Sequence, residues 1–388
     1  MKSQQRLAEI IFMRIQELYS VCKWSWQKKH KPEIWGKVKY ICLFEDYIVY
    51  KLTGIRQIDY SLATRTMAFD IYSLKWNTKI LDAAGIDESM LSKVVPIGEK
   101  AGNMSSQIKE ELGFVNQPVI VSGCHDQIAA AIGSGVFHEH QGVDGTGTVE
   151  CITVAFSKDD KIDKTLLQKG GFAIVPYMKD LFVTYAFSYT GGALLKWYRD
   201  KLSPMEAKTA YENGQNPYDV YNRGVSDKEP SELLILPYFA GAGTPYMDNG
   251  AKGLIAGLTM DTTKEKIYQG IMEGCSYEMK LNLNQLQKAG IKADKLFATG
   301  GGANSKEWLH IKADIYDKEI ISLGAAESGT VACILLAGVA CGRFRNLEEA
   351  SKEFITYRDT YFPRKGAKEK YKKLFDQYRM IYPRLYEK

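Results

Sequence analysis

The stretch VIVSGCHDQIAAAIGSG, residues 119–135, leads from an apolar β-branched segment through a turn into a run of small residues. This pattern predicts a buried strand, a turn carrying Cys124, His125 and Asp126, and a small-residue helix. Asp126 has two interpretations on these residues alone. It is the N-cap of a helix that begins near Gln127, or it is a general base, because strand ends in open α/β sheets face the ligand crevice.

Two glycine-rich turns lie further along the chain. VDGTGTVE, residues 143–150, can offer backbone N–H groups and hydroxyls to a phosphate chain, or it is a plain hairpin turn. FATGGGANSKEW, residues 297–308, combines a strand, three glycines and a helix start, which lets the backbone approach a flat or anionic ligand closely. The GxxxxGK[ST] and GxGxxG nucleotide loops are absent from the sequence.

The coarse pattern changes near residue 142. Before residue 115 the sequence predicts mostly helix, including residues 33–54 with a stop at Gly54, and PVIVSG is then expected to form a buried parallel strand. Residues 142–188 predict a small antiparallel sheet. From residue 263 onward, helices alternate with strands, and the chain ends in an amphipathic helix carrying Tyr371 and Tyr378.

Charge and composition exclude several classes of partner. The net charge is +5, and basic runs such as QKKHK at 27–31 are scattered, so no nucleic-acid partner is expected. The 7 cysteines form no CxxC pair, and HEH at 138–140 is not expected to hold a metal. The start, residues 1–20, predicts an amphipathic helix, and no apolar run reaches the roughly 20 residues that span a bilayer. We therefore expect a cytoplasmic protein without a membrane partner.

Taken in chain order, several segments together resemble the FGGY family of carbohydrate kinases, and they extend over most of the 388 residues. The resemblance implies an α/β, actin-like ATPase (ribonuclease H-like) fold of two domains. The matching segments are YSVCKWSW, FEDYIVYKLTG, DYSLATRT, GCHDQIAAAIGSG, DGTGTVE, GGALLKWYRD, PYFAGAGTPYMDNGAKGLIAGLT and ATGGGANSKEWLHIKADI.

The resemblance implies roles at the sugar. Asp126 would be the base that takes the proton of the sugar hydroxyl, and Gln127 would contact the sugar. A carboxylate at a strand end beside a phosphate turn suits phosphoryl transfer, which needs an oriented nucleophile. Leu18 and Gln27 depart from the usual family signature.

The resemblance also implies a nucleotide site, with ATP and Mg²⁺ as cofactors. Thr146 would face the ATP phosphates, Gly192 would line the nucleotide cleft, and Gly301 and Ser305 would hold the adenosine. Lys196 would lie on the adenine side, although relatives often carry Gln there. No residue is assigned as a metal ligand.

The family's opening strand with its DxGTT-like phosphate loop is missing, so the first domain is expected to be incomplete. Residues 1–122 would be the remnant of the sugar-binding domain and 123–388 the nucleotide-binding domain. The expected reaction transfers the γ-phosphoryl of MgATP to a hydroxyl of a small-molecule sugar, a ketopentose or related polyol such as xylulose. The alternative is a catalytically incomplete nucleotide-binding fragment or subunit of a split kinase. A homodimer, or a partner chain, would cover the incomplete domain.

Overall fold

The structure is a computed structural model that describes residues 16–225, 229–324 and 327–386. The predicted N-terminal helix falls largely on residues 1–15, outside the described residues. Within these described ranges, every helix is too short or too polar to cross a membrane.

Helices cover much of the described chain and lie on both sides of position 142. Most begin with a polar N-cap or a proline in the first turn, as at Asn77, Ser105 and Thr263. The α-helices are Ser20–His30, Pro32–Trp35, Phe44–Thr53, Tyr60–Thr64, Thr78–Ala84, Ser106–Glu111, Asp126–Gly133, Lys164–Lys169, Gly192–Trp197, Pro204–Glu212, Pro217–Asn222, Lys264–Lys288, Lys306–Tyr316, Ser328–Ala340, Leu347–Phe354, Lys365–Tyr378 and Ile381–Tyr386. Short 3-10 helices are Glu88–Met90 and Gly301–Asn304, and Tyr198–Leu202 is a π-helix.

One 7-stranded mixed sheet organises the second half of the chain. The strands Gln141–Thr146, Glu150–Ser157 and Leu181–Ser188 pair antiparallel in chain order. On the other side of Gln141–Thr146, the strands Lys295–Thr299 and Glu319–Leu323 extend the sheet as parallel neighbours, which is the ribonuclease H-like arrangement. In spatial order the strands are Tyr357–Tyr361, Glu319–Leu323, Lys295–Thr299, Gln141–Thr146, Glu150–Ser157, Leu181–Ser188 and Ile174–Pro176.

The remaining described strands form two-stranded sheets. Three of these pairs precede residue 122 and one follows the large sheet's hairpins. The pairs are Gln57–Asp59 with Lys93–Val95, Phe69–Asp70 with Lys75–Trp76, Lys100–Asn103 with Val119–Val121, and Leu234–Leu236 with Leu254–Ala256.

Two predictions for the first part of the chain are wrong. Residues 36–43 interrupt the predicted helix, which is two helices, Pro32–Trp35 and Phe44–Thr53; the second ends as expected at Gly54, with φ 78°. The segment Val119–Val121 pairs antiparallel with Lys100–Asn103 and is only half-buried. An apolar run alone does not distinguish a central parallel strand from a strand in a small sheet.

The helices and strands predicted after residue 142 are found in the expected order, but the strands of residues 142–188 belong to the 7-stranded mixed sheet and do not form a separate small antiparallel sheet. The hairpin strands pair antiparallel, and the long helix, the 295–299 strand and the 306–316 helix follow in the expected order. The C-terminal helix Lys365–Tyr378 buries Tyr371 and Tyr378, as its apolar face predicts. This half therefore supplies the sheet in which the strands Gln141–Thr146 and Lys295–Thr299 end at the two glycine-rich turns.

The helix Asp126–Gly133 packs closely against the helix Ser328–Ala340. A Cβ added at Gly133 would lie 1.7 Å from the Ser328 carbonyl oxygen, so only glycine lets the helix Ser328–Ala340 approach here. Ser134 and Ser328 then share a hydrogen bond of 3.2 Å between their hydroxyls. These contacts hold the C-terminal end of the helix Asp126–Gly133 against the start of the helix Ser328–Ala340.

Candidate active site

The turn at residues 147–149 connects the strands Gln141–Thr146 and Glu150–Ser157, with Thr146 opposite Glu150. Its carbonyl oxygens are held from outside the hairpin. Gly192 N–H donates to Gly147 O at 2.8 Å, and the N–H groups of Gly191 and Ala193 donate to Thr148 O at 3.1 and 3.0 Å. The start of the helix Gly192–Trp197 therefore fixes this turn, and Thr148 remains exposed at its apex.

The triple glycine packs against the same hairpin. Gly300 has φ +81°, and a Cβ there would lie 2.7 Å from the Thr146 carbonyl oxygen. A Cβ on Gly302 would lie 2.7 Å from the Thr146 Cβ, whereas Gly301 faces open space. Backbone conformation and close approach therefore account for the outer two glycines. The middle one stays exposed at the mouth of the turn.

The prediction that Asp126 caps a helix beginning near Gln127 is wrong. The helix begins at Asp126 itself, and His125 is its N-cap residue, without a side-chain cap bond. Asp126 Oδ1 accepts the Gln127 N–H at 2.7 Å and lies 3.3 Å from His125 Nε2. With 79% of its side chain exposed, the carboxylate is accessible to a ligand.

His125 sits between this carboxylate and the protein interior. The backbone N–H of His125 donates to Ser61 Oγ at 2.9 Å, which anchors the turn to the first part of the chain. Burial lowers the pKa of His125; the Asp126 charge opposes this shift and the Arg65 charge adds to it. The imidazole is therefore neutral at pH 7, with Nε2 3.3 Å from Asp126 Oδ1.

A cavity of about 330 Å³ opens beside Asp126. Its lining includes both neighbours of Asp126 in the chain and Val149 of the 147–149 turn, although Asp126 itself is not a lining residue. This volume suits a small ligand. The lining residues are Gln16, Leu18, Tyr19, Arg65, His125, Gln127, Val149, Cys151, Gly171, Ala173, Tyr185, Phe187, Ser188, Tyr189 and Met247.

The structure thus groups the predicted residues in two sets. Gln127 lines the cavity and Asp126 precedes it in the chain, whereas Thr146 precedes the 147–149 turn, Gly192 bonds to it and Gly301 follows Gly300, which packs against it. Contact through Val149, which belongs to both the turn and the cavity lining, joins the two sets.

The other two residues predicted to hold the nucleotide, Ser305 and Lys196, lie at the start and near the end of helices. Ser305 is the N-cap of the helix Lys306–Tyr316, and its hydroxyl accepts the Trp308 N–H at 3.2 Å. Lys196 is exposed in the last turn of the helix Gly192–Trp197.

A buried charge cluster below the turn was not predicted. Lys312 Nζ lies 2.7 Å from Asp144 Oδ2, 2.7 Å from Glu150 Oε1 and 2.6 Å from Thr146 Oγ1. Thr146 Oγ1 in turn donates to Asp144 Oδ1 at 3.2 Å, so its hydroxyl points into this cluster. The alternation of Asp144 and Thr146 on one strand face was a readable signal, but the position of Lys312 on the helix Lys306–Tyr316 was not.

The cluster has one member that changes charge near neutral pH. Burial raises the pKa of Glu150 to about 8, the Lys312 charge lowers it and the Asp144 charge raises it further. The pKa of Lys312 is raised, because its two carboxylate partners outweigh its burial. With a pKa of about 8, Glu150 is largely protonated at pH 7, whereas Lys312 keeps its charge.

Comparison with known proteins connects these features to a family. The N-terminal domain model of the FGGY family of carbohydrate kinases matches residues 1–133, and its C-terminal domain model matches residues 146–341. The xylulose kinase of Bacillus subtilis (strain 168) is 26% identical over 381 residues, covering 98% of this chain and 74% of that protein. The gluconokinase of the same strain is 28% identical over 352 residues, covering 89% of this chain and 67% of that protein.

A solved structure extends the likeness to the fold. The ligand-bound xylulose kinase from Lactobacillus acidophilus superimposes with a TM-score of 0.87 at 24% identity, over 99% of this chain and 76% of that one. The predicted α/β, actin-like ATPase fold is confirmed by this likeness and by the sheet order. The chain belongs to the FGGY family of carbohydrate kinases, which are phosphotransferases.

Proposed function

We propose that this chain transfers the γ-phosphoryl of MgATP to a hydroxyl of a sugar, with Asp126 as the general base. One observation carries the proposal. The exposed Asp126 carboxylate stands in the chain between His125 and Gln127, and both of these residues line the 330 Å³ cavity together with Val149 of the 147–149 turn. Phosphoryl transfer needs a base that orients the attacking hydroxyl beside the bound phosphates.

In this mechanism, the two contacts of Asp126 both fall on Oδ1, from the Gln127 N–H and the His125 ring. They orient the carboxylate and leave Oδ2 for the sugar hydroxyl. Gln127 would contact the sugar, and the 147–149 turn, with Thr148 at its apex, would meet the phosphates. The exposed Gly301 would lie against the adenosine. Magnesium bound to the nucleotide would neutralise phosphate charge.

The substrate we propose is a ketopentose, with xylulose as the first candidate. Its support is the xylulose kinase name of the relative from Bacillus subtilis, which is 26% identical. A neutral polyol would be held through polar groups of the cavity, such as Gln127, Ser188 and Tyr185.

A second candidate is an aldonate such as gluconate, and Arg65 favours it. The Arg65 guanidinium lines the cavity, and within the described residues it forms no ion pair with a carboxylate. It lies 5.2 Å from the centre of the Tyr19 ring. A sugar acid would supply the carboxylate that Arg65 can bind. The gluconokinase relative, 28% identical, agrees with this alternative.

The deciding experiment is ADP release from the purified chain with MgATP and xylulose, other ketopentoses, polyols or gluconate. Asp126→Asn should reduce sugar-stimulated kcat by roughly 10²–10⁴-fold, because the amide cannot take the proton. Since the side chain is 79% exposed, the variant should unfold at the same temperature as the wild type. Unchanged turnover in Asp126→Asn would contradict the proposal; nucleotide binding without turnover in the wild type would favour the incomplete-fragment alternative.

Arg65→Gln separates the two substrates. If gluconate is the substrate, the variant should raise KM for gluconate roughly tenfold or more and change KM for xylulose little, because only the acid loses an ion pair. An equal change for both sugars would contradict the aldonate candidate.

The domain division at residue 122 and a cytoplasmic location remain predictions. Support for a reducing compartment comes from the cysteines, all of which have free thiols.

A further inference from the structure

A single buried ammonium joins the parts of the candidate nucleotide site. We propose that Lys312 is a positioning residue that fixes the 147–149 turn for phosphate contact. This inference rests on the proposed function, in which that turn meets the ATP phosphates.

The first argument is that every proton of the Lys312 ammonium has an acceptor. Its three protons face three acceptors, Asp144 Oδ2, Glu150 Oε1 and Thr146 Oγ1, at 2.7, 2.7 and 2.6 Å. The Tyr316 hydroxyl adds a contact to Glu150 Oε1 at 3.3 Å. Such a set of short, charge-assisted bonds defines one geometry rather than a range of them.

The second argument is where these acceptors lie. Asp144 and Thr146 belong to the strand that enters the turn, and Glu150 is the first residue of the strand that leaves it. Lys312 therefore binds both ends of a connection only three residues long. A displacement of either strand end would move the N–H groups of the turn by a similar distance.

The third argument is the position of Lys312 in the chain. It lies on the helix Lys306–Tyr316, which directly follows the glycine turn at 300–302. That turn touches the Thr146 backbone from the other side, since Gly300 has no room for a Cβ there. One side chain thus couples the turn proposed for phosphate to the turn proposed for adenosine.

Burial explains why the cluster is costly to break. Lys312, Asp144 and Glu150 are all fully buried, and removal of the cation leaves two acids without their partner. A buried carboxylate that loses its cation is strongly destabilising, whereas removing both charges of the pair is far less so. Stability and positioning can therefore be separated by pairing substitutions.

The test compares Lys312→Met with the double variant Lys312→Met/Asp144→Asn. Lys312→Met should lower stability and raise KM for ATP roughly tenfold or more, with KM for the sugar nearly unchanged. The double variant should regain most of the stability to urea, because no unpaired aspartate remains. It should keep the raised KM for ATP, because Thr146 and Glu150 still lack the ammonium.

Glu273→Gln is the matched control. Glu273, on the helix Lys264–Lys288, is an equally buried carboxylate, and its hydrogen-bond partners Ser231, Gln269 and Tyr371 belong neither to the 147–149 turn nor to the Lys312 cluster. It should change stability without changing KM for ATP. A double variant whose KM for ATP returns to the wild-type value together with its stability would show a purely structural role and overturn the inference.

Calorimetry with MgADP keeps this result distinct from that of the proposed function. If the wild type binds MgADP but phosphorylates no sugar, the proposed function fails, and a roughly tenfold weaker Kd in the double variant still supports the inference. Equal Kd values in wild type and double variant overturn the inference alone. A wild type that binds no nucleotide overturns both.

Discussion

Glu278 shows what a single residue contributes when it is buried without a cation. It lies in the middle of the helix Lys264–Lys288, and Oε2 accepts hydroxyl protons from Tyr238 at 2.7 Å and Tyr378 at 2.6 Å. Burial raises the pKa of Glu278 to about 7, and the two tyrosine hydroxyls limit that rise. The carboxyl therefore changes charge near neutral pH inside the core.

The pH dependence of stability follows from this shift. The folded state keeps a proton that the unfolded state loses above pH 4.5, so this contribution is complete below that pH and is lost as pH rises through about 7. Glu278→Gln mimics the protonated acid. The difference in unfolding free energy between this variant and the wild type should therefore shift in favour of the variant by roughly 3 kcal/mol between pH 4 and pH 8. Urea unfolding at a series of pH values measures this gain.

Tyr378→Phe serves as the control in that series. It removes one hydroxyl from Glu278 but leaves the titrating carboxyl in place, so its unfolding free energy should still fall with pH at least as steeply as that of the wild type. A difference between Glu278→Gln and wild type that stays constant from acid to alkaline pH would contradict the assignment.

At the scale of elements, the contact between the helices Asp126–Gly133 and Ser328–Ala340 decides where Asp126 lies. Gly133→Ala would place a methyl group 1.7 Å from the Ser328 carbonyl oxygen, which is rigid backbone. The helices must then separate, and we expect a loss of about 2–3 kcal/mol in unfolding free energy. Sugar-stimulated turnover should also fall, because the helix start carries Asp126.

Gly366→Ala is the matched control for this helix contact. Gly366 lies in the helix Lys365–Tyr378, with no atom within 4 Å of its added Cβ. Here alanine should leave stability unchanged or raise it by up to about 1 kcal/mol, through helix propensity. Equal urea midpoints for Gly133→Ala and the wild type would contradict the close helix contact.

At the scale of the whole molecule, an apolar surface near the first helices bears on assembly. Phe44 and Ile48 are 85% and 48% exposed, and they line one cavity with Val119 and Leu336. Contiguous exposed apolar surface marks interaction sites. The sequence-based expectation of a homodimer or a partner chain stays a prediction, and a second copy is the occupant we test.

Phe44→Glu should convert dimers to monomers in sedimentation velocity at micromolar concentration, because the charge would be buried in the interface. Met260→Glu changes a fully exposed side chain elsewhere and should leave the distribution unchanged. A wild type that sediments as a monomer at every concentration would contradict self-association through this surface.

The sequence by itself determined the elements whose pattern is local. The helix Lys264–Lys288, the strand Lys295–Thr299 and the glycine turns were all predictable. Periodic burial and positive-φ turns depend on residues that are neighbours in the sequence. The same local segments carried the family resemblance, and they predicted the position of Asp126 at the end of an apolar stretch. They did not resolve the helix break at residues 36–43, where apolar spacing continued across a segment without helix.

Only the tertiary structure decided how the side chains at these turns are used. Thr146 turns its hydroxyl to Lys312, a residue 166 positions away, and the helix begins at Asp126, whose carboxylate accepts the N–H of its neighbour Gln127. Partnerships between buried polar groups depend on which elements pack together, and that information is distributed over the whole chain rather than over neighbouring residues.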